Sequence, residues 1–283
     1  IVADCGATPP MAAAVALRDD VRLWGVASGV RHQVGGVDFD CVRAGAFIGR
    51  TLVRALAAAD AARVDSAGEQ PARAAADVPL VSPASATLVD ADGFALAALR
   101  PHEFERAFAP KLPATLGGAA FLAAHPGGHG DGATEVAADR TYPVLAPAAH
   151  AVHEGHRARL ARELLSGGAA RGGAAREALG ELMLQSHASY ARCGLGAPAT
   201  DRLVALAEEL GLAGAKVTGG GRGGTVCVLG SGSAADADRF AALVARFAEE
   251  TGHSPAVFTG SSPGAAAFGH LRVRLARPPP EAP

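Results

Sequence analysis

Lysine is nearly missing from this sequence: Lys111 and Lys216 are the only two, and every other basic side chain is arginine. With a formal charge of −2 over 283 residues, the chain lacks the basic excess that draws nucleic acid or an anionic membrane surface, which argues against both partners. Cysteine is scarce as well. Cys5, Cys41, Cys193 and Cys227 are scattered without a C-x-x-C pair, so neither a disulfide framework nor a zinc knuckle is indicated, and a reduced, cytoplasmic setting is expected. No apolar run approaches the roughly 20 residues of a membrane span, and no signal peptide precedes the first strand. An initiator methionine is lacking too; the chain opens on Ile-Val-Ala, which reads as the mark of a fragment. What remains is a globular composition, 49% hydrophobic, with enough length for one large domain or two modest ones.

What the chain has in abundance is glycine, and its densest run organises the reading. In Lys216-Val-Thr-Gly-Gly-Gly-Arg-Gly-Gly-Thr-Val-Cys-Val-Leu, Gly219, Gly220, Gly221, Gly223 and Gly224 stand between two β-prone runs, 215–218 and 225–229. A tight turn needs one or two glycines. Five cost backbone entropy that a plain hairpin does not lose, and they supply positive φ and outward-facing amides, the means by which a chain cradles an anion. Gly219, Gly221 and Gly224 also fit G-x-G-x-x-G, but that fingerprint must open a helix, and here a strand follows. No Lys-Ser/Thr closes the loop as a Walker motif demands. A glycine-rich β-loop-β is left.

In chain order, residues 21–26 alternate as a strand and run into the polar loop 28–39. A helix follows with Val42, Ala46, Gly49, Val53 and Leu56 on one face; Gly45 and Gly49 cost helix propensity unless something packs closely there. Residues 57–79 read as an Ala-rich surface excursion with partial helix, and 99–108 as the start of another helix. Pro126-Gly-Gly-His-Gly-Asp-Gly reads as a flexible loop, the best candidate for disorder. From 149 onward a helix carries Val152, His156, Leu160 and Leu164 as its stripe, and the next carries Leu179, Leu182, Met183, Ser186 and Tyr190. Thr200 or Asp201 caps a third with Leu203, Leu206, Ala207 and Leu210, ended by Gly211. After the glycine hairpin, Ser233 caps a helix burying Phe240, Leu243, Val244 and Phe247, and 256–259 is a returning strand. Helix–strand–strand–helix–strand is most of a ferredoxin-like unit. The tail 278–283 reads as disordered linker.

Candidate chemistry gathers near the first strand. Arg31, in a Gly/Ser loop just after a strand end, is placed to meet an anion; its bland alternative is a solvated arginine. Asp38 and Asp40 flank Phe39 and serve either as acid–base residues or as caps. His150, His153 and His156 are helical neighbours, but a metal site needs a coherent ligand set, and His156 and His187 read as packed side chains.

Four stretches, taken as a set and in order over about residues 20–275, resemble the GHMP sugar kinases, above all the galactokinase family and its L-arabinokinase-like branch. They are Trp24-Gly-Val-Ala-Ser-Gly-Val-Arg-His-Gln-Val-Gly-Gly-Val-Asp-Phe-Asp-Cys-Val-Arg, Gly180-Glu-Leu-Met-Leu-Gln-Ser-His-Ala-Ser-Tyr, Gly214-Ala-Lys-Val-Thr-Gly-Gly-Gly-Arg-Gly-Gly-Thr-Val and Gly260-Ser-Ser-Pro-Gly-Ala. The resemblance implies an α+β fold of GHMP-kinase type. Residues 1–148 would be a remnant of the N-terminal lobe with connecting segments, 149–277 a ferredoxin-like C-terminal domain, and 278–283 the tail. It implies ATP, Mg²⁺ and a monosaccharide phosphorylated at its anomeric hydroxyl. Gly219, Gly220, Gly221, Gly223 and Gly224 would pack on the ATP-phosphate loop, and Arg31 would stabilise charge on the transferred phosphoryl. Phe39 stands where the family places a sugar-contacting tyrosine. The family's G-E-H-x-D-Y stretch, Ser-rich loop and catalytic aspartate are absent from these residues, so the chain looks like the C-terminal two-thirds of such a kinase, inactive alone. The alternatives are a non-catalytic remnant that keeps the fold for binding and a GHMP kinase with a non-sugar substrate.

Overall fold

The computed structural model describes residues 2–4, 11–13, 17–31, 37–66, 94–166 and 172–260. The tail 278–283, the end of the fourth motif (261–265) and most of the Ala-rich excursion (67–79) lie outside the described residues. A short hairpin, β1 (Val2–Asp4) with β2 (Met11–Ala13), opens the chain. Then come β3 (Arg22–Ala27), α1 (Val37–Ser66), a 3₁₀ turn at Leu96–Ala98 and a helical run over 101–111. The hairpin of β4 (Thr115–Gly117) and β5 (Thr141–Pro143) encloses α2 (Gly118–Ala124). The remainder is α3 (Leu145–Leu165), α4 (Gly173–Arg192), α5 (Pro198–Glu209), β6 (Gly214–Val217), β7 (Thr225–Gly230), α6 (Ala234–Thr251) and β8 (Val257–Thr259).

The main sheet is antiparallel with the order β6-β7-β3-β8. Numbered from β3, that is the strand order of a ferredoxin-like domain. The sequence reading grouped residues 21–26 with the N-terminal segment, yet β3 pairs with β7 along its whole length and with β8 on its other side. Alternation divides the two faces. Trp24, Val26, Val226 and Val228 join Leu203, Leu206 and Ala207 of α5 and Phe240, Leu243 and Phe247 of α6 in one core. Trp24 stacks on Phe240 with ring centroids 4.7 Å apart, a contact worth about 0.5–1.5 kcal/mol beyond its buried area. Leu23, Cys227 and Leu229 face the other way, onto Leu179 and Met183 of α4.

Beyond α4 the helices stack in sequence, α3 on α4 and α1 on α3. The glycines of α1 are explained by this. A Cβ at Gly45 would overlap the carbonyl oxygen of Pro143, and one at Gly49 would lie 2.7 Å from the Ala148 Cβ. The buried face of α1 is Ala44, Ile48, Val53 and Ala57, rotated from the expected stripe because β5 and α3 both claim it. The stripe of α3 differs more. Pro147, Ala148, Val152 and Arg157 are buried, whereas His156 and Leu160 are exposed, since this helix is covered on two sides and by Ala97 against Gly155. The α5 helix begins at Pro198 with Ala197 as its cap, not Thr200 or Asp201; proline at the first position needs no amide partner. Ser233 caps α6 as the sequence indicated, accepting from the Asp236 amide.

The loop 126–132 is fastened rather than loose. Arg43 of α1 forks onto both Asp131 oxygens at 2.7 and 2.8 Å, Thr134 donates to Asp131 at 2.6 Å, and Arg50 donates to the His129 carbonyl at 3.0 Å. Glycine and proline content alone pointed to disorder; side chains from another element supply the missing order.

Candidate active site

The glycine loop is held from three directions. Four of its glycines take positive φ: Gly219 at 68°, Gly221 at 83°, Gly223 at 112° and Gly224 at 80°. At its base, the Thr218 amide and hydroxyl both donate to the Thr225 carbonyl at 2.9 Å. On one side it meets the segment after β3: the Gly224 amide donates to the Val30 carbonyl at 2.9 Å, and the Ser28 amide donates to the Gly224 carbonyl at 2.8 Å. On the other side the end of α4 forms its floor. Tyr190 Oη donates to the Gly219 carbonyl at 2.8 Å, and the Arg222 amide donates to the Leu195 carbonyl at 2.7 Å. No side chain fits at Gly221, where a Cβ would lie 2.6 Å from the Leu195 oxygen, or at Gly223, where it would lie 2.7 Å from Val30 Cγ1. Among the described residues, no acceptor meets the amides of Gly219, Gly220 and Gly223, which leaves them available to an anion.

The sequence-derived residues converge on this loop in part. Arg31 is exposed and follows Val30 directly, so the segment after β3 that braces Gly224 also delivers it. Asp38 lies in the first turn of α1 and pairs with Arg222 Nη1 at 2.6 Å. Phe39 is half-buried beside it. Residues 32–36 lie outside the described residues. The three histidines of α3 go separate ways: His150 Nδ1 to Ser189 Oγ at 2.9 Å, His153 Nε2 to Glu105 at 2.7 Å, and His156 to the exposed surface.

Below the loop lies a polar seam that sequence reasoning missed. Glu154 of α3 accepts from Ser186 Oγ at 2.7 Å and from Arg157 Nε at 2.8 Å, with Lys216 Nζ at 3.8 Å. Burial alone would raise the Glu154 pKa; the Ser186 and Arg157 hydrogen bonds and the Lys216 charge outweigh it and hold the group below its ordinary value. His150 meets the Tyr190 ring edge-on at 4.8 Å, and burial lowers its pKa. His187 Nδ1 accepts from the Val217 amide at 3.4 Å while Nε2 reaches Asp201 at 3.1 Å. These partners assign the proton to Nε2; burial again lowers the pKa, against the pull of Asp201. The signal was present as spacing. His150, Glu154 and Arg157 recur at helical intervals, and so do Ser186, Ser189 and Tyr190, so each helix turns a polar row toward the other. A single helix does not reveal that such a row is buried.

Among the described residues, no three His, Cys, Asp or Glu side chains converge as a metal-binding group. A Mg²⁺ ion is usually held by one or two carboxylates with substrate phosphates; beside the loop, the Asp38 carboxylate pairs with Arg222. No described helix is long and apolar enough to cross a membrane.

Residues 173–250 match the family described as GHMP kinases C terminal. The chain is similar to the L-arabinokinase of Arabidopsis thaliana, 38% identical over 274 residues, 92% of this chain and 25% of that protein. It thus spans a quarter of that relative's length. Among solved structures it is similar to galactokinase of Lactococcus lactis complexed with galactose, with a TM-score of 0.49 and 17% identity over 88% of this chain and 47% of that one. It is also similar to L. major mevalonate kinase in complex with R-mevalonate, with a TM-score of 0.29 and 24% identity over 36% and 28%. The matched residues run from α4 through the glycine hairpin to α6, the elements that form and floor the loop. Residues 173–250 are thus similar to the C-terminal domain of GHMP kinases, and most of the chain is similar to part of an L-arabinokinase.

Proposed function

We propose that this chain contributes to the active site of an ATP-dependent sugar-1-kinase, one that phosphorylates the anomeric hydroxyl of a monosaccharide such as galactose or arabinose. The observation that carries the reading is the glycine loop, held open at positive φ between Val30 and Leu195, in a chain 38% identical to L-arabinokinase. Outward amides suit the phosphates of ATP, which enters as a substrate. Arg31, delivered by the bracing segment after β3, would neutralise charge on the transferred phosphoryl. Phe39 would stack against the sugar ring. Because 1–283 contains no G-E-H stretch or Ser-rich loop, residues 1–283 alone are expected to turn over no ATP.

The test is sugar-dependent ADP release by the intact protein, with galactose and arabinose compared. Arg31→Ala is expected to lower turnover by about 10²–10³-fold, the usual loss of one charge-stabilising donor. An intact protein that releases no ADP with any monosaccharide, or an Arg31→Ala variant that is fully active, overturns the reading.

A further inference from the structure

Arg222 is the one non-glycine residue at positive φ among the described residues, at 56°. A side chain in that left-handed region is disfavoured by its own Cβ, and both sequence neighbours are glycines at positive φ. The backbone has no need of arginine here, because the amide bonded to the Leu195 carbonyl would be supplied equally by glycine. What arginine adds is its guanidinium. That group pairs with Asp38 at 2.6 Å, but the two side chains are 42% and 64% exposed, and an exposed ion pair returns little stability. Strain without a stabilising return points to a use beyond the folded resting state.

We propose that Arg222 is a phosphate-binding residue of this loop and that Asp38 is its resting partner. The guanidinium is a planar fork matched to the oxygens of a phosphate. It rides on a loop whose neighbouring amides at Gly220 and Gly223 meet no described acceptor. When the triphosphate of a nucleotide arrives, Arg222 exchanges a weak surface carboxylate for a polyanion. Until then, Asp38 keeps it over the first turn of α1, beside Phe39. The assignment rests on the kinase reading above and adds to it a cation that belongs to the loop itself.

The experiment compares wild-type, Arg222→Gly and Arg222→Lys intact protein for turnover, for ATP binding by equilibrium titration, and for thermal unfolding. Arg222→Gly is expected to raise the KM and the Kd for ATP about tenfold or more, to leave the KM for sugar unchanged, and to melt no lower than wild type. Arg222→Lys, which keeps charge but loses the fork, is expected to fall between. Wild-type turnover with an Arg222→Gly KM for ATP within about twofold overturns the assignment alone. So does a fall in melting temperature matched by equal losses toward both substrates, since that marks a structural arginine. If the wild type turns over no sugar, the kinase reading fails, and the titration still decides Arg222: weaker ATP binding upholds it, equal binding overturns it.

Discussion

At Gly221 the chain turns at φ 83° with the Leu195 carbonyl and the Tyr190 ring pressed against the missing side chain. Gly221→Val adds a β-branched group in a left-handed position, a strain of about 1–3 kcal/mol. It displaces the amides on either side. Turnover in the intact protein is expected to fall much further than the stability measured by urea unfolding; equal losses would make the loop merely structural. Phe39 offers the opposite kind of change. Tyrosine restores a hydroxyl able to make a neutral hydrogen bond, worth about 0.5–1.5 kcal/mol. Phe39→Tyr is therefore expected to lower the KM of the true sugar by no more than about tenfold and to leave that of ATP unchanged. If neither galactose nor arabinose responds, Phe39 does not face the sugar. The positive φ of Gly221 was legible because glycine repetition marks it, whereas Phe39 was singled out by the resemblance alone. Arg222 was not legible, since nothing in a sequence shows which residue of a glycine run carries positive φ.

Elements divide by whether their pattern is local. The glycine hairpin and the cap and apolar stripe of α6 follow from neighbours in the chain, and the sequence indicates all of them. The buried row of α3 does not, because Glu154 and Arg157 become interior only when α4 brings Ser186 against them. The loop 126–132 is a further case, being ordered by α1. Asp131 is 5% exposed and takes both arms of Arg43. The Arg43 hydrogen bonds, helped by Thr134, hold its carboxyl well below the ordinary aspartate range, against the opposing effect of burial. With the folded pKa depressed, the stabilisation is complete above the unfolded value of about 4 and is lost as pH falls below it. Asp131→Asn is thus expected to cost about 1–3 kcal/mol at neutral pH, measured by urea unfolding. The gap should narrow steadily below about pH 4; a gap that ignores pH would show that the ion pair is not its source.

Across the whole molecule, Glu154 links the helical layers to the strand that enters the glycine loop. It touches α4 through Ser186, stays 3.8 Å from Lys216 of β6, and neutralises Arg157, whose side chain is 8% exposed and whose Nη2 has no hydrogen-bond partner among the described residues. Glu154→Ala strands that guanidinium in the interior at a cost of about 3–5 kcal/mol, read as a lower urea midpoint; a loss under about 1 kcal/mol would mean that water reaches the site. Fold class was legible because the strand and helix periods are strong, whereas the partner of β3 was not, since pairing across so much chain leaves no local trace. That pairing has a consequence for how the protein is made. Trp24 and Val26 leave the ribosome long before Val226 and Val228, with which they form the sheet. At about 5–20 residues per second, the intervening two hundred or so residues take on the order of 10–40 seconds to synthesise. For that interval a strand carrying Trp24 and Val26 has two open edges and no mate, so the nascent chain is exposed to mispairing until the last strands of the main sheet are made.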